Sequence, residues 1–200
     1  MTADYYKTVI ERIYKDVLPY RGQGKVADYI PALANVDPGR FGIAVETIEG
    51  DSIACGDAMT PFSIQSISKV FTLAMVIRHM GKKLWRYVGR EPSGNPFNSL
   101  VQLEKEHGIP RNPFINAGAL VVTDRLMDLY PDPSKAIIAF VRDLCGNPEV
   151  DYDLEVARSE RLHADRNMAL AYFMKSFGNI SNDVGKLIDL YCLQLTLINI

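Results

Sequence analysis

Strands are scarce in this sequence, and that scarcity limits its folds more than any other feature. Two runs rich in β-branched residues flank Glu49-Gly50-Asp51 in FGIAVETIEGDSIACG, which predicts a hairpin over residues 41–56. From Ser63 onward the periodicity is helical almost throughout. Helices are expected at 66–80 ending at Gly81, 99–107 ending at Gly108, 115–129 stopped by Pro131 and 133–145 stopped by Gly146. Three more are expected at 153–161, 163–177 and 183–193. Another opens the chain at 4–18, where Val9, Ile10, Ile13 and Val17 share one face. A lone hairpin is marginal in water and leaves both edges unpaired, so further strands are expected from elsewhere. The closing segment LQLTLINI is apolar and alternating, and it either supplies a strand or marks a lost end. No repeat or linker divides the chain. A single domain over 1–200 is expected, with the hairpin at 41–56 and a mainly helical region at 63–193.

Composition narrows the partners. A net charge of -2 gives no basic stripe to draw nucleic acid or an anionic membrane surface. The opening MTADYYKTVIERIYK is charged throughout, unlike a signal peptide or a span, and a cytoplasmic location is expected. Cys55, Cys145 and Cys192 are widely spaced and form no CxxC pair, which argues for buried thiols over disulfides or zinc. His79, His107 and His163 lack metal-ligand spacing. Neither GxGxxG nor GxxxxGK[ST] occurs, so no cofactor is implied.

Ser66 stands three residues ahead of Lys69 in TPFSIQSISKVFTL. That spacing arises by chance roughly once in a chain of this length, and the plain alternative is a helix-start serine with a solvated lysine. The setting favours chemistry. Backbone N–H groups at a helix start lack helical partners and can serve an oxyanion, and residues three apart share a face. A lysine base must be neutral, so the site has to disfavour the ammonium by burial or by the positive end of the helix dipole. Phe62, Ile64, Ile67, Val70 and Phe71 are expected to keep the pair dry. A serine and lysine heading a helix after a hairpin is the arrangement of β-lactamase and transpeptidase acyl-transfer enzymes.

Five stretches, taken together and in order, resemble the serine-dependent glutaminases: GKVADYIPALA, GDAMTPFSIQSISKV, VGREPSGNPFNSLVQLE, IPRNPFINAGALVV and SERLHADRNMALAYFMKSFGN. The resemblance runs to about Tyr191. It implies an α/β (α+β) fold with a β-lactamase/transpeptidase-like core, and hydrolysis of L-glutamine to L-glutamate and ammonia. It further implies Ser66 as the nucleophile, Lys69 as the base, and a substrate pocket of Tyr29, Gln65, Ser66, Asn116, Glu160, Asn167 and Tyr191. A homo-oligomer, dimer or tetramer, belongs to the same expectation. An anionic Glu160 suits the α-ammonium of free glutamine, and amide or phenol donors suit its carboxylate. Taken singly, each has a plain reading: Asn116 as a helix cap, Glu160 and Asn167 as solvated surface, Tyr29 and Tyr191 as core aromatics.

The family's C-terminal strands, a further tyrosine and the second oxyanion donor find no counterpart, and CLQLTLINI fits the family poorly. The chain is therefore expected to be truncated and impaired or inactive by itself, because one lost oxyanion donor typically costs about a hundredfold to a thousandfold in turnover. Two alternatives stay open: a non-catalytic fragment that folds with a partner, and a β-lactam-type serine acyl-transfer enzyme. The second lacks the S-D-N and K-T-G elements of its class.

Overall fold

The computed structural model describes residues 3–94, 96 and 100–199. The chain forms two compact units, Met1–Pro61 and Phe62–Ile200.

In the first unit, α1 (Ala3–Val17) packs on a hairpin, and a short helix, α2 (Pro31–Ala34), lies between them in sequence. The hairpin falls where the turn chemistry predicts it. β1 (Gly42–Glu46) and β2 (Ser52–Gly56) pair antiparallel, Ala44 opposite Ala54, around a turn in which Gly50 takes φ 92°. Tyr14 of α1 stacks on Phe41, ring centroids 5.2 Å apart. Gly56 lets them meet, since a Cβ there would come within 2.4 Å of the Tyr14 ring.

The second unit is helical: α3 (Ser68–Met80), α4 (Val101–Lys105), α5 (Asn116–Leu129), α6 (Pro133–Cys145), α7 (Leu154–Leu162), α8 (Asp165–Ser176) and α9 (Val184–Gln194). Local chemistry sets several boundaries. Asp132, Asp153 and Asp183 cap α6, α7 and α9 by accepting backbone N–H bonds, and Gly146 ends α6 in the left-handed region at φ 60°. At the centre lies α5, with nine buried residues in one run from Ala117 to Leu126 broken only at Arg125. It packs against α3, α6, α8 and α9.

Two expectations change. The helix predicted over 66–80 begins as a 3₁₀ turn, Gln65–Ile67, before α3 proper, and the helix predicted over 99–107 is only α4, residue 99 lying outside the described residues. The apolar end does supply a strand, but a two-residue one. β4 (Leu197–Ile198) pairs antiparallel with β3 (Asp151–Tyr152), and not with the hairpin. Among the described residues no helix is long and apolar enough to cross a membrane.

Candidate active site

Ser66 is exposed on the 3₁₀ turn, one helical turn before Lys69. Three constraints fix this turn. The backbone N–H of Ile64 donates to the Leu197 carbonyl at 3.0 Å, and that of Gln65 donates to the Leu195 carbonyl at 2.7 Å. Gln65 itself takes φ 49°, a left-handed conformation that costs a non-glycine residue of order 1–3 kcal/mol and clusters at functional sites. Residues 195–197, which sequence reasoning set apart as ill-fitting, thus brace the approach to Ser66.

Lys69 is 2% exposed. Burial lowers its amine to about 8. The flanking apolar residues account for this only in part: Ile64 is buried and Phe71 half-buried, but Phe62, Ile67 and Val70 all stay more than half exposed. The shelter comes from the α5 side. There the Lys69 Nζ donates to the Phe114 carbonyl at 3.0 Å and to Asn116 Oδ1 at 2.9 Å.

The start of α5 is built to receive that amine. Asn112 Oδ1 accepts from the backbone N–H groups of Phe114 and Ile115, at 3.0 and 3.1 Å, and its Nδ2 donates to the Glu91 carbonyl at 2.9 Å. Asn112 thus ties the turn that leads into α5, an assignment the sequence did not reveal, while Asn116, the first residue of the helix, does not cap it. Asn116 Nδ2 donates instead to Asn167 Oδ1 at 3.1 Å. Gly118 allows the close approach, because a Cβ there would sit 1.8 Å from the Asn112 carbonyl oxygen.

The structure thus links Lys69, Asn116 and Asn167 by direct hydrogen bonds, although they sit on three helices. Glu160 and Asn167 do not share one helix, since α7 ends at Leu162 and α8 begins at Asp165. Glu160 is the one buried residue of α7, which is unexpected for a carboxylate on an otherwise open helix. It faces α9. Burial first, and then the Glu160 charge, push the thiol of Cys192 up to about 12. Tyr191, next in sequence to Cys192, is 1% exposed. Tyr29 is exposed and belongs to the first unit.

Other polar groups serve the frame. Asp124, fully buried on α5, accepts from the backbone and side chains of Ser181 and Asn182 at 3.0–3.1 Å and pairs with Arg125. Burial raises its carboxyl, but the hydrogen bonds from Arg125, Asn182 and Ser181 outweigh that and hold it below the usual range. Sequence reasoning missed this residue; its signal is an acid inside the apolar run ALVVTDRL. His79 and His163 are exposed and bond carbonyls one turn back, those of Met75 and Ser159. Among the described residues no group of three or more His, Cys, Asp or Glu side chains converges as a metal site would.

Comparison with known proteins agrees with this architecture. The model of the family described as Glutaminase matches residues 24–199, so the match runs past Tyr191 to the last strand instead of stopping short of it. A glutaminase of Streptomyces coelicolor is 56% identical over 96% of this chain, and one of Ralstonia nicotianae 54% over 94%. The solved structure of the probable glutaminase ybaS superposes with a TM-score of 0.92 at 30% identity, covering 99% of this chain and 64% of that one. Mglu in its glutamate form gives 0.85 at 31% identity, covering 98% and 44%. The fold is that of the β-lactamase/transpeptidase-like α/β class, with a serine on the turn that leads into α3 and a lysine in the first turn of that helix. Within that class, the chain belongs to the glutaminase family. It spans 63% and 62% of the length of the two curated relatives.

Proposed function

We propose that this chain carries the catalytic centre of an amidohydrolase that converts L-glutamine and water into L-glutamate and ammonia. The observation that carries the reading is Lys69: a buried amine, lowered to about 8, one turn after an exposed serine on a braced turn. In the proposed reaction neutral Lys69 takes the Ser66 proton as Oγ bonds to the side-chain amide carbon. The tetrahedral intermediate then collapses, the Lys69 ammonium gives its proton to the leaving nitrogen, and ammonia departs from a γ-glutamyl ester on Ser66. Water attacks that ester with Lys69 again as base, which frees glutamate and restores the serine. Backbone N–H groups at the helix head, that of Ser66 among them, are proposed to receive the oxyanion.

Substrate recognition is proposed to fall to Gln65, Ser66, Asn116, Glu160, Asn167 and Tyr191. A buried carboxylate at position 160 suits an α-ammonium, because an ion pair offsets the cost of its burial. The reading of Tyr29 as a pocket residue rests on the sequence resemblance. The same proposal includes a homo-oligomer, dimer or tetramer, and a cytoplasmic setting. Ammonia release from glutamine tests it, with Ser66→Ala as control. Release that falls by about a thousandfold or more in Ser66→Ala is expected. Release that survives the substitution would contradict the serine mechanism.

A further inference from the structure

A hydrogen-bond relay runs from Asn167 through Asn116 to Lys69. A neutral primary amine has two N–H bonds and one lone pair. Lys69 Nζ lies 3.0 Å from the Phe114 carbonyl oxygen and 2.9 Å from Asn116 Oδ1. With its two N–H bonds on those oxygens, the lone pair must take the remaining tetrahedral direction. Helical side chains lean back over the preceding turn, which for Lys69 is the turn of Ser66.

The Asn116 end of this arrangement is ambiguous by chemistry alone, since an amide presents either an oxygen or an NH₂ group to its neighbour. Its other end couples the two amides. Asn116 Nδ2 donates to Asn167 Oδ1 at 3.1 Å, which turns Oδ1 toward Lys69. If Asn116 alone turned over, two oxygens would face each other across to Asn167, and N–H would face N–H at Lys69. If both amides turned, Asn116 would donate into the lysine lone pair and occupy the electrons that catalysis needs. One orientation of Asn167 therefore presents a working base.

We propose that Asn167 is a positioning residue that acts through Asn116 to aim the Lys69 lone pair at the Ser66 side of the site. This deepens the glutaminase reading and rests on Lys69 being its base. It leaves a role in substrate binding compatible, because each amide has a further N–H beyond the relay.

Two substitutions at position 167 separate positioning from packing. Aspartate is acceptor-only when ionised, so Asn167→Asp keeps the bond from Asn116 and forbids the reversed relay, while its charge disfavours a substrate carboxylate. Asn167→Leu keeps bulk but lacks the acceptor. In ammonia-release kinetics compared on the high-pH plateau, where Lys69 is neutral in every variant, Asn167→Asp is expected to raise KM and to lower kcat by no more than about threefold, and Asn167→Leu to lower kcat by about thirtyfold to a hundredfold. A second readout needs no turnover. Titration of the Lys69 side chain by carbon NMR in lysine-labelled protein should give a midpoint of about 8, moving upward in the isosteric Asn116→Asp, where a carboxylate replaces the amide oxygen. Equal kcat losses in both variants at 167, a change in KM alone, or a Lys69 midpoint indifferent to Asn116→Asp would each overturn the proposal. No ammonia from the unsubstituted chain would refute the glutaminase reading; a Lys69 midpoint that then differs between Asn167→Leu and the unsubstituted chain would still support Asn167 acting on Lys69 through Asn116, and one that does not would overturn that too.

Discussion

A lysine side chain with 2% exposure is costly to keep charged, and Lys69 relieves that cost by giving up its proton two to three pH units early. Two pH effects follow. A base that works only when neutral should make kcat/KM climb about tenfold per pH unit below about 8 and level off above it. Stability has its own window. In the unfolded chain the amine titrates near 10.4, so between about 8 and 10.4 the unfolded state holds the extra proton, and folding stability rises with pH across that interval. The gain is about 3 kcal/mol when complete. Denaturant melts at pH 7 and pH 10 should show it as a difference between this protein and Lys69→Met, which lacks the group; parallel changes in both would refute the assignment. Gln65 is the other costly residue. Its φ of 49° places strain immediately before the nucleophile, where a β-branched side chain would be worse accommodated still.

Elements carry these residues to one another, and α5 does most of the carrying. Its first residue receives Lys69, while Asp124 near its middle holds the Ser181-Asn182 segment that leads into α9 and Tyr191. Asp124→Ala would leave Arg125, 11% exposed at its side chain, without its buried partner, and a loss of roughly 3–5 kcal/mol is expected in denaturant unfolding. A loss below about 1 kcal/mol would show that the network is dispensable. Gly118→Ala asks a different question. Its Cβ would collide with the Asn112 carbonyl and with Pro113, so the turn that presents the Phe114 carbonyl must move. Destabilisation of about 1–3 kcal/mol is expected, together with a shifted Lys69 titration. Element ends of this kind are only partly legible in the sequence. Asp132-Pro133 and Gly146 announce α6 because capping is local chemistry. Asp124 stands out only as an acid in an apolar run and does not announce its partners, which stand 57 and 58 positions away until folding brings them near. Asn112 escapes notice for a related reason: its bond to Glu91 ties two extended segments that no periodicity connects.

At the scale of the whole molecule, the hairpin and the helical run are legible because strand alternation, turn residues and 3.6-residue periodicity are written within short windows. Ser66, Lys69, Asn116 and Asn167 are legible only as members of matching segments, since each residue type has a plainer use. The final residues are legible as a strand, but their part in bracing the Ser66 turn is not. Leu195 and Leu197 act through backbone carbonyls, which any residue supplies, so LQLTLINI reads as an ill-fitting tail although it braces Ile64 and Gln65. Deleting residues 195–200 is therefore expected to loosen the Ser66 turn more than it loosens the α3–α5 core, which hydrogen exchange at Gln65 against Val121 would register. The central claim concerns Ser66, and covalent trapping tests it most directly. The protein is treated with a glutamine analogue that carries an electrophilic carbon in place of the side-chain amide, then digested and weighed peptide by peptide. One adduct is expected, on the peptide containing Ser66, lost in Ser66→Ala and strongly slowed in Lys69→Met. An adduct on any other residue, or glutamine turnover without labelling at Ser66, would contradict it.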